Sequence, residues 1–328
     1  MRLPYTLRRA VFYLIALWAA ITLNFLLPHL MPGNPATTLL ANFKGRISPT
    51  ALQSFMKAFG IAPHASLVGE YWQYLGQVIH LNFGLSYAFF PTPVASVLAI
   101  TLPWTLALVG GTTVVSFLVG TYLGIVTAWK RGGFWDNVLP TGLTFVHAFP
   151  YFVSAYILVY VFAFLLGWFP IGGGYSGSVI NFSWPFIASA LHHAVLPALT
   201  ILGASLGGWM LHMRNNMMSV LGSDYVLMAE AKGLPDRQVM WRYAVRNAML
   251  PSLTGFALAL GFVVAGAVLT EVVFNYPGVG STLLRAVQSE DYPLAQGILL
   301  IISTLVLLAN FVADLLYGLL DPRIRTAR

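Results

Sequence analysis

Few residues in this chain are of a type that does chemistry, and their spacing removes most reactions. Each lysine (Lys44, Lys57, Lys130, Lys232) follows a residue other than glycine, so the chain has no Gly-Lys phosphate loop to cradle a nucleotide. No His-Glu-x-x-His pair occurs. His192 and His193 are adjacent, point to different helix faces and make a poor shared metal site; packing or an interfacial position is their plain reading. The absence of cysteine excludes disulfides, thiolate metal sites and a cysteine nucleophile. Three ionisable residues fall within apolar runs. Glu271 and Asp314 lie near the ends of theirs, within interfacial or snorkelling reach. His147 is central, where an interhelical hydrogen bond competes with a proton relay. The expectation is a chain with no catalytic residue and no metal site.

One polar stretch interrupts the apolar second half: Asp224 to Pro251, DYVLMAEAKGLPDRQVMWRYAVRNAMLP. It reads as two short helices about a glycine turn. Asp224 is placed to N-cap the first, Gly233 suits the left-handed position that ends it, and Pro235 with Asp236 opens the second. Val239, Met240 and Tyr243 share one side of that second helix, with Arg237, Arg242 and Arg246 mostly off it. A solvated basic loop between two spans is the plain reading; an organised docking element is the other.

The elements that carry these residues belong in a bilayer. Charged residues are 8% and hydrophobic residues 58%, against roughly 25% and 45–50% in soluble domains. The net charge of +7 comes from basic residues clustered at the ends of apolar runs, a membrane pattern rather than a nucleic-acid one. Six spans are expected, at residues 10–31, 101–129, 138–168, 194–213, 248–274 and 292–318, with the third interrupted by Pro140 and Pro150. The first is taken as an uncleaved helix because its apolar core is too long for a signal peptide. All but four of the 17 lysines and arginines then fall on the side of the termini, the exceptions being Lys44, Arg46, Lys57 and Arg285. That asymmetry predicts cytoplasmic termini and a cytoplasmic 224–251 loop.

The domain layout follows: residues 1–31 as N-terminus and first helix, and 32–100 as a small extracytoplasmic subdomain with amphipathic helices at 48–59 and 67–79. A transmembrane core at 101–318 includes the cytoplasmic loop 214–247, and 319–328 is a cytoplasmic tail. Small residues four apart (Gly120/Gly124, Gly203/Gly207, Ala257/Gly261/Ala265) predict close helix packing. Trp104, Tyr151, Tyr156 and Trp209 read either as stacking platforms for a sugar or as interfacial anchors.

A set of local motifs occurs in a fixed order: MPGNPA (31–36), LNFGLSY (81–87), LGWFPIGG (166–173), DYVLMAEAKGL (224–234) with RNAMLPSLT (246–254), then VFNYPGVG, DYPLAQG and LLDPRIR. Together they resemble the permease subunits of binding-protein-dependent ABC importers of the dipeptide/oligopeptide/nickel type. The resemblance runs nearly end to end. It implies an all-α membrane protein of six transmembrane helices, the type I ABC importer permease fold, working by alternating access in the cell (inner or plasma) membrane. It implies a second homologous permease subunit, two ABC ATPase subunits that carry ATP and Mg, and an extracytoplasmic solute-binding protein, with no cofactor on this chain.

Tyr225, Ala229, Ala231, Lys232, Gly233, Leu234, Met240, Tyr243 and Arg246 are then expected to form the coupling helix region seated on an ATPase. Small Ala229, Ala231 and Gly233 would allow close approach, with Met240 and Tyr243 as an apolar knob. Glu271, Asn275, Tyr276, Pro277 and Gly278 are expected near the outer gate. One departure stands: where the wider superfamily has Glu-Ala-Ala six residues before the glycine, this chain reads Leu227–Met228–Ala229, so coupling is expected through backbone shape around Gly233 rather than an ion pair of Glu230. Peptides are the expected cargo, with oligosaccharides or nickel as alternatives. An ion-coupled secondary transporter is the reading from another class.

Overall fold

A membrane interior offers the backbone no water, so a spanning chain must satisfy its N–H and C=O groups within helices or closed barrels. The chain takes the first course. The computed structural model describes residues 3–30, 66–177, 180–181, 183–263 and 267–320, and these are helical with no strand among them. The expectations at 31–36 and 48–59, the charges Lys44, Arg46 and Lys57, and the tail from 321 lie outside the described residues.

The helices are α1 (Leu3–Leu30), α2 (Leu67–Ile79), α3 (Val94–Trp129), α4 (Phe134–Ala148), α5 (Tyr151–Leu165) and α6 (Trp184–Leu221). After them come α7 (Asp224–Ala231), α8 (Arg246–Gly261), α9 (Val268–Val273), α10 (Val279–Gln288) and α11 (Tyr292–Leu320). Residues 236–245 form a helical lead-in to α8, with a π-helical segment at Val239–Val245. Among the described residues, α1, α3, α6 and α11 are long and apolar enough to cross a bilayer. The α4–α5 pair makes a fifth crossing if its 91° bend is read as one broken span.

Several boundaries move relative to the sequence expectation. The second-span helix begins at Val94 rather than 101, because Pro93 occupies the N-cap and Val94–Ile100 is apolar but for Ser96. The fourth begins at Trp184 rather than 194 and keeps Pro197 inside it. Pro140 lies within α4, whereas the break falls at Phe149–Pro150.

Bundle packing follows the small residues. A Cβ on Gly120 would lie 2.6 Å from Trp209 Cβ, and one on Gly124 would lie 2.5 Å from the Met210 carbonyl oxygen, so α3 and α6 meet at these glycines. Gly207 faces the backbone of Leu143 on α4, and Gly261 faces Ala309 on α11. The end of the bundle rich in basic residues is held by ion pairs. Arg214 on α6 donates to Asp136 on α4 at 2.7 Å, and Arg9 on α1 lies 2.9 Å from Asp314 on α11, which also accepts from the Tyr13 hydroxyl.

His147 sits exposed at the end of α4 with Nδ1 2.5 Å from the Ala204 carbonyl oxygen, an interhelical hydrogen bond. Trp104 and Trp209 are both half-buried among other rings. Trp104 stacks on Tyr175, and Trp209 packs edge-on against Phe117.

Gly120→Ala and Gly124→Ala should each destabilise the protein by about 1–3 kcal/mol through overpacking, read as a lower melting temperature in detergent. Gly208→Ala, on the same helix pair but with nothing within 4 Å of the added carbon, should not lower it. Equal melting of all three would mean α3 and α6 do not pack on these glycines.

Candidate functional site

At the basic end, the chain from 223 to 245 folds as a helical hairpin. Ser223, not Asp224, occupies the N-cap of α7; Asp224 is the first helical residue, where its charge favours the helix dipole. The helix ends as expected: Gly233 has φ +74 and its N–H donates to the Glu230 carbonyl at 2.8 Å. Pro235 then caps the lead-in of 236–245.

Val226, Ala229 and Val239 are buried against one another and against Trp129, Val220 and Leu221 at the ends of α3 and α6. Ala244 and Val245 join Ile125, Ala128, Met213 and Met217 in an adjoining cluster. The hairpin is therefore fused to two long helices rather than tethered to them.

This anchoring redistributes the expected coupling residues. Ala229 is buried within the chain and so is not a close-approach surface. Met240 and Tyr243 do not form a projecting knob: both are half-buried and pack inward on the same two clusters, because the lead-in helix needs an apolar face against the bundle. Leu234 is likewise half-buried. Tyr225, Ala231, Lys232, Gly233 and Arg246 are exposed. The apolar side chains that project are Leu227, Met228 and Trp241, which the sequence reading did not single out. Leu227 and Met228 stand where the superfamily register has Glu-Ala, so that departure marked them.

At the opposite end, motifs distant in sequence come together around two buried carboxylates. Glu271 is 0% exposed, not snorkelling as its place near the end of an apolar run suggested. Its Oε1 accepts from Thr105 Oγ1 at 2.6 Å, and its Oε2 accepts from the backbone N–H groups of Gly280 at 2.7 Å and Ser281 at 3.2 Å. Thr105 in turn accepts from Val279 N–H at 2.8 Å. The carboxylate thus fills the N-terminus of α10, where unpaired N–H groups favour negative charge.

Asn275, Tyr276, Pro277 and Gly278 form the turn that wraps it. Asn275 takes φ +46, and a Cβ on Gly278 would fall 2.2 Å from the Glu271 carboxyl carbon, so only glycine fits there. Burial first, and then the Glu271 charge, push the Tyr276 phenol up to about 12.

Asp291 is the second carboxylate, also fully buried. It caps α11 by accepting from Leu294 N–H, and its other oxygen accepts from Ser86 Oγ at 2.5 Å and Ala88 N–H at 2.9 Å. LNFGLSY and DYPLAQG are thereby pinned together. LGWFPIGG joins through Gly173 N–H, which donates to the Phe274 carbonyl at 2.8 Å. Trp104 lies edge-on to Tyr276 and stacked on Tyr175, closing the group. His192 and His193 have packing roles nearby, with ring nitrogens on the carbonyls of Trp168 and Ser189. Thr105, Ser86 and Asp291 were not foreseen as site residues; their partners lie 166 and 205 positions away, beyond any local pattern.

Comparison with known proteins adds the family. The profile described as "Binding-protein-dependent transport system inner membrane component" matches residues 120–326. The chain is 34% identical over 323 residues to a probable peptide ABC transporter permease of Sinorhizobium fredii, covering 98% of this chain and 99% of that one. It is 31% identical over 325 residues to the oligopeptide transport system permease AppB of Bacillus subtilis, covering 98% of each. It is 32% identical over 340 residues to the di/tripeptide transport system permease DppB of Pseudomonas aeruginosa, covering 99% of this chain and 100% of that one. A multi-pass helical bundle, a structured hairpin at its basic end and matches of this length together make the chain a member of the binding-protein-dependent transport system inner membrane component family, the importer permeases of ABC transporters.

Proposed function

We propose that this permease forms, with a second homologous permease chain, the pathway of an ATP-driven importer for di- or oligopeptides delivered by an extracytoplasmic solute-binding protein. The named relatives supply the peptide class. The basic end faces the cytoplasm with both termini, in keeping with the excess of lysine and arginine there. Six crossings follow if 246–273 is a single span, and residues 32–93 then belong to an extracytoplasmic subdomain. Hydrolysis belongs to two ATPase subunits that hold ATP and Mg; this chain contributes no catalytic residue and binds no cofactor.

The observation that carries the reading is the hairpin at 223–245. Its inner face, Val226, Ala229 and Val239, is built into the ends of α3 and α6, and its outer face presents Tyr225, Leu227, Met228, Ala231 and Lys232. A motor seated on that outer face moves the bundle helices because the hairpin has no slack. Gly233 sets the hairpin angle. At the outer end, the turn from Glu271 to Gly278 lies at the gate, positioned by the Glu271 carboxylate.

Proline fixes φ near −65° and cannot adopt the +74 of Gly233, whereas asparagine tolerates the left-handed region. Gly233→Pro should abolish uptake in reconstituted vesicles while the chain still inserts and is recovered from membranes; Gly233→Asn should retain it. Transport by the proline variant would refute coupling through this turn.

Glu271→Gln keeps an acceptor for the α10 N–H groups only by turning its NH2 toward Thr105, whose hydroxyl then loses its buried acceptor at a cost of about 1–3 kcal/mol. It should lower both the melting temperature and the maximal uptake rate. Thr105→Val should do the same, and Thr105→Ser should restore both. Wild-type uptake by Glu271→Gln would show that the knot does not position the gate.

A further inference from the structure

Helix α2 carries three kinds of face where a water-exposed amphipathic helix needs two. With 3.6 residues per turn, Tyr74, Val78, Tyr71 and Leu75 occupy a sector of about 100°. That sector packs on α1: Tyr71 OH is 2.7 Å from Thr22 Oγ1, Asn24 Nδ2 donates to Tyr74 OH at 3.0 Å, and both rings lie against Phe25. Gln73 and Gln77, both exposed, and the half-buried Glu70 make the polar sector. Between the two, Val68, Ile79 and Trp72 fall within about 40° of arc. They are 67%, 77% and 67% exposed.

The level of the helix says what covers this third sector. Its contacts on α1 are at Thr22, Asn24 and Phe25, within the last three turns before that helix ends at Leu30. Those contacts lie about 8–12 Å from the helix end at 1.5 Å per residue. Amphipathic helices that lie in a membrane surface bed at a comparable depth, about 5–10 Å into the headgroup–acyl boundary. α1 itself leaves the apolar side chains of Trp18, Leu23 and Leu27 exposed. Tryptophan at such a boundary places its indole among the headgroups.

We propose that α2 is bedded in the outer leaflet, with Val68, Trp72 and Ile79 against lipid at the headgroup–acyl boundary and Gln73 and Gln77 facing water. The partner is the lipid surface itself. The segment is then a membrane-surface strap clamped to α1, not part of a subdomain standing clear of the bilayer. The embedding rests on the contacts above; its assignment to the outer leaflet rests on the orientation proposed under the function.

The chain has no cysteine, so single labels need no background substitutions. Spin labels at V68C, W72C, I79C, Q73C and Q77C, one at a time in the full transporter in liposomes, report collision with oxygen and with a water-soluble nickel chelate. The expected result is a severalfold higher oxygen-to-nickel ratio at 68, 72 and 79 than at 73 and 77. Nickel preference at all five positions would overturn the proposal by putting the helix in water. Low access to both reagents at 68, 72 and 79 would overturn it by showing a protein cover.

Neither collision readout depends on transport, so failure of the importer reading would not alter it. In intact cells, Q77C should react with a membrane-impermeant thiol reagent from outside. Reaction only after permeabilisation would overturn the leaflet assignment and the orientation together.

Discussion

A carboxylate removed from water must be given donors, and Glu271 ties α3, α9 and α10 together by collecting them. Burying an unpaired anion in an apolar interior costs far more than the fold can spare. The chain answers with two backbone N–H groups from the start of α10 and the hydroxyl of Thr105 on α3. Each donor constrains something else. The N–H groups are within reach only because Gly278 and Gly280 have no side chain: a Cβ would collide with the carboxylate at the first and with Val268 at the second. Thr105 must face the turn between α9 and α10, which fixes how α3 is rotated. Asp291 repeats the device one element later, capping α11 and holding the segment before α3. Thus α3, α9, α10 and α11 are registered at one end by two acidic side chains.

The other end is registered by apolar packing. Trp129 closes α3 and Leu221 closes α6, and both rest on the buried residues of the 223–245 hairpin. α3 and α6 are 36 and 38 residues long and touch backbone to side chain at Gly120 and Gly124. They are the two members that reach from the hairpin to the knot around Glu271 and Thr105. Displacement of the hairpin is therefore borne by the same helices that hold the opposite turn. This is a geometric continuity, made by the apolar inner face of the hairpin.

The membrane class, the polar hairpin and the left-handed glycine were legible in the sequence, because each follows from composition or from a local steric rule. Gly233 is the clearest case: a helix with its periodicity ending at Lys-Gly before Leu-Pro has few other ways to stop. What failed was inference about which face a side chain turns to. Met240 and Tyr243 looked like a knob because they share a helix side, yet nothing local says whether that side meets the bundle or a partner. Glu271 looked interfacial because its depth was judged along one helix, while its donors come from α3 and α10. The start of α3 was misplaced for a related reason: the span was read from 101, whereas Pro93 is the residue from which the helix departs. The faces of α2 were blurred because a two-way division into apolar and polar cannot separate a protein-facing sector from a lipid-facing one.

The bend between α4 and α5 says which side of the bundle cannot meet lipid. Pro150 brings no N–H to the last turn of α4, and the helix axis turns by 91°, so carbonyls in that turn lose their helical partners. Each unsatisfied group costs several kcal/mol in hydrocarbon, and irregular backbone at membrane depth persists only where protein covers it or water reaches it. His147 meets part of this demand by bonding across to Ala204, but His147, Phe149 and Phe152 around the bend are exposed on this chain. A face that is both exposed and irregular therefore belongs against a second protein chain or along a hydrated path, whereas α1, unbroken and apolar, is suited to lipid. The two sides of the bundle differ in what their backbone requires, and that difference is the one a paired permease with a central pathway would impose.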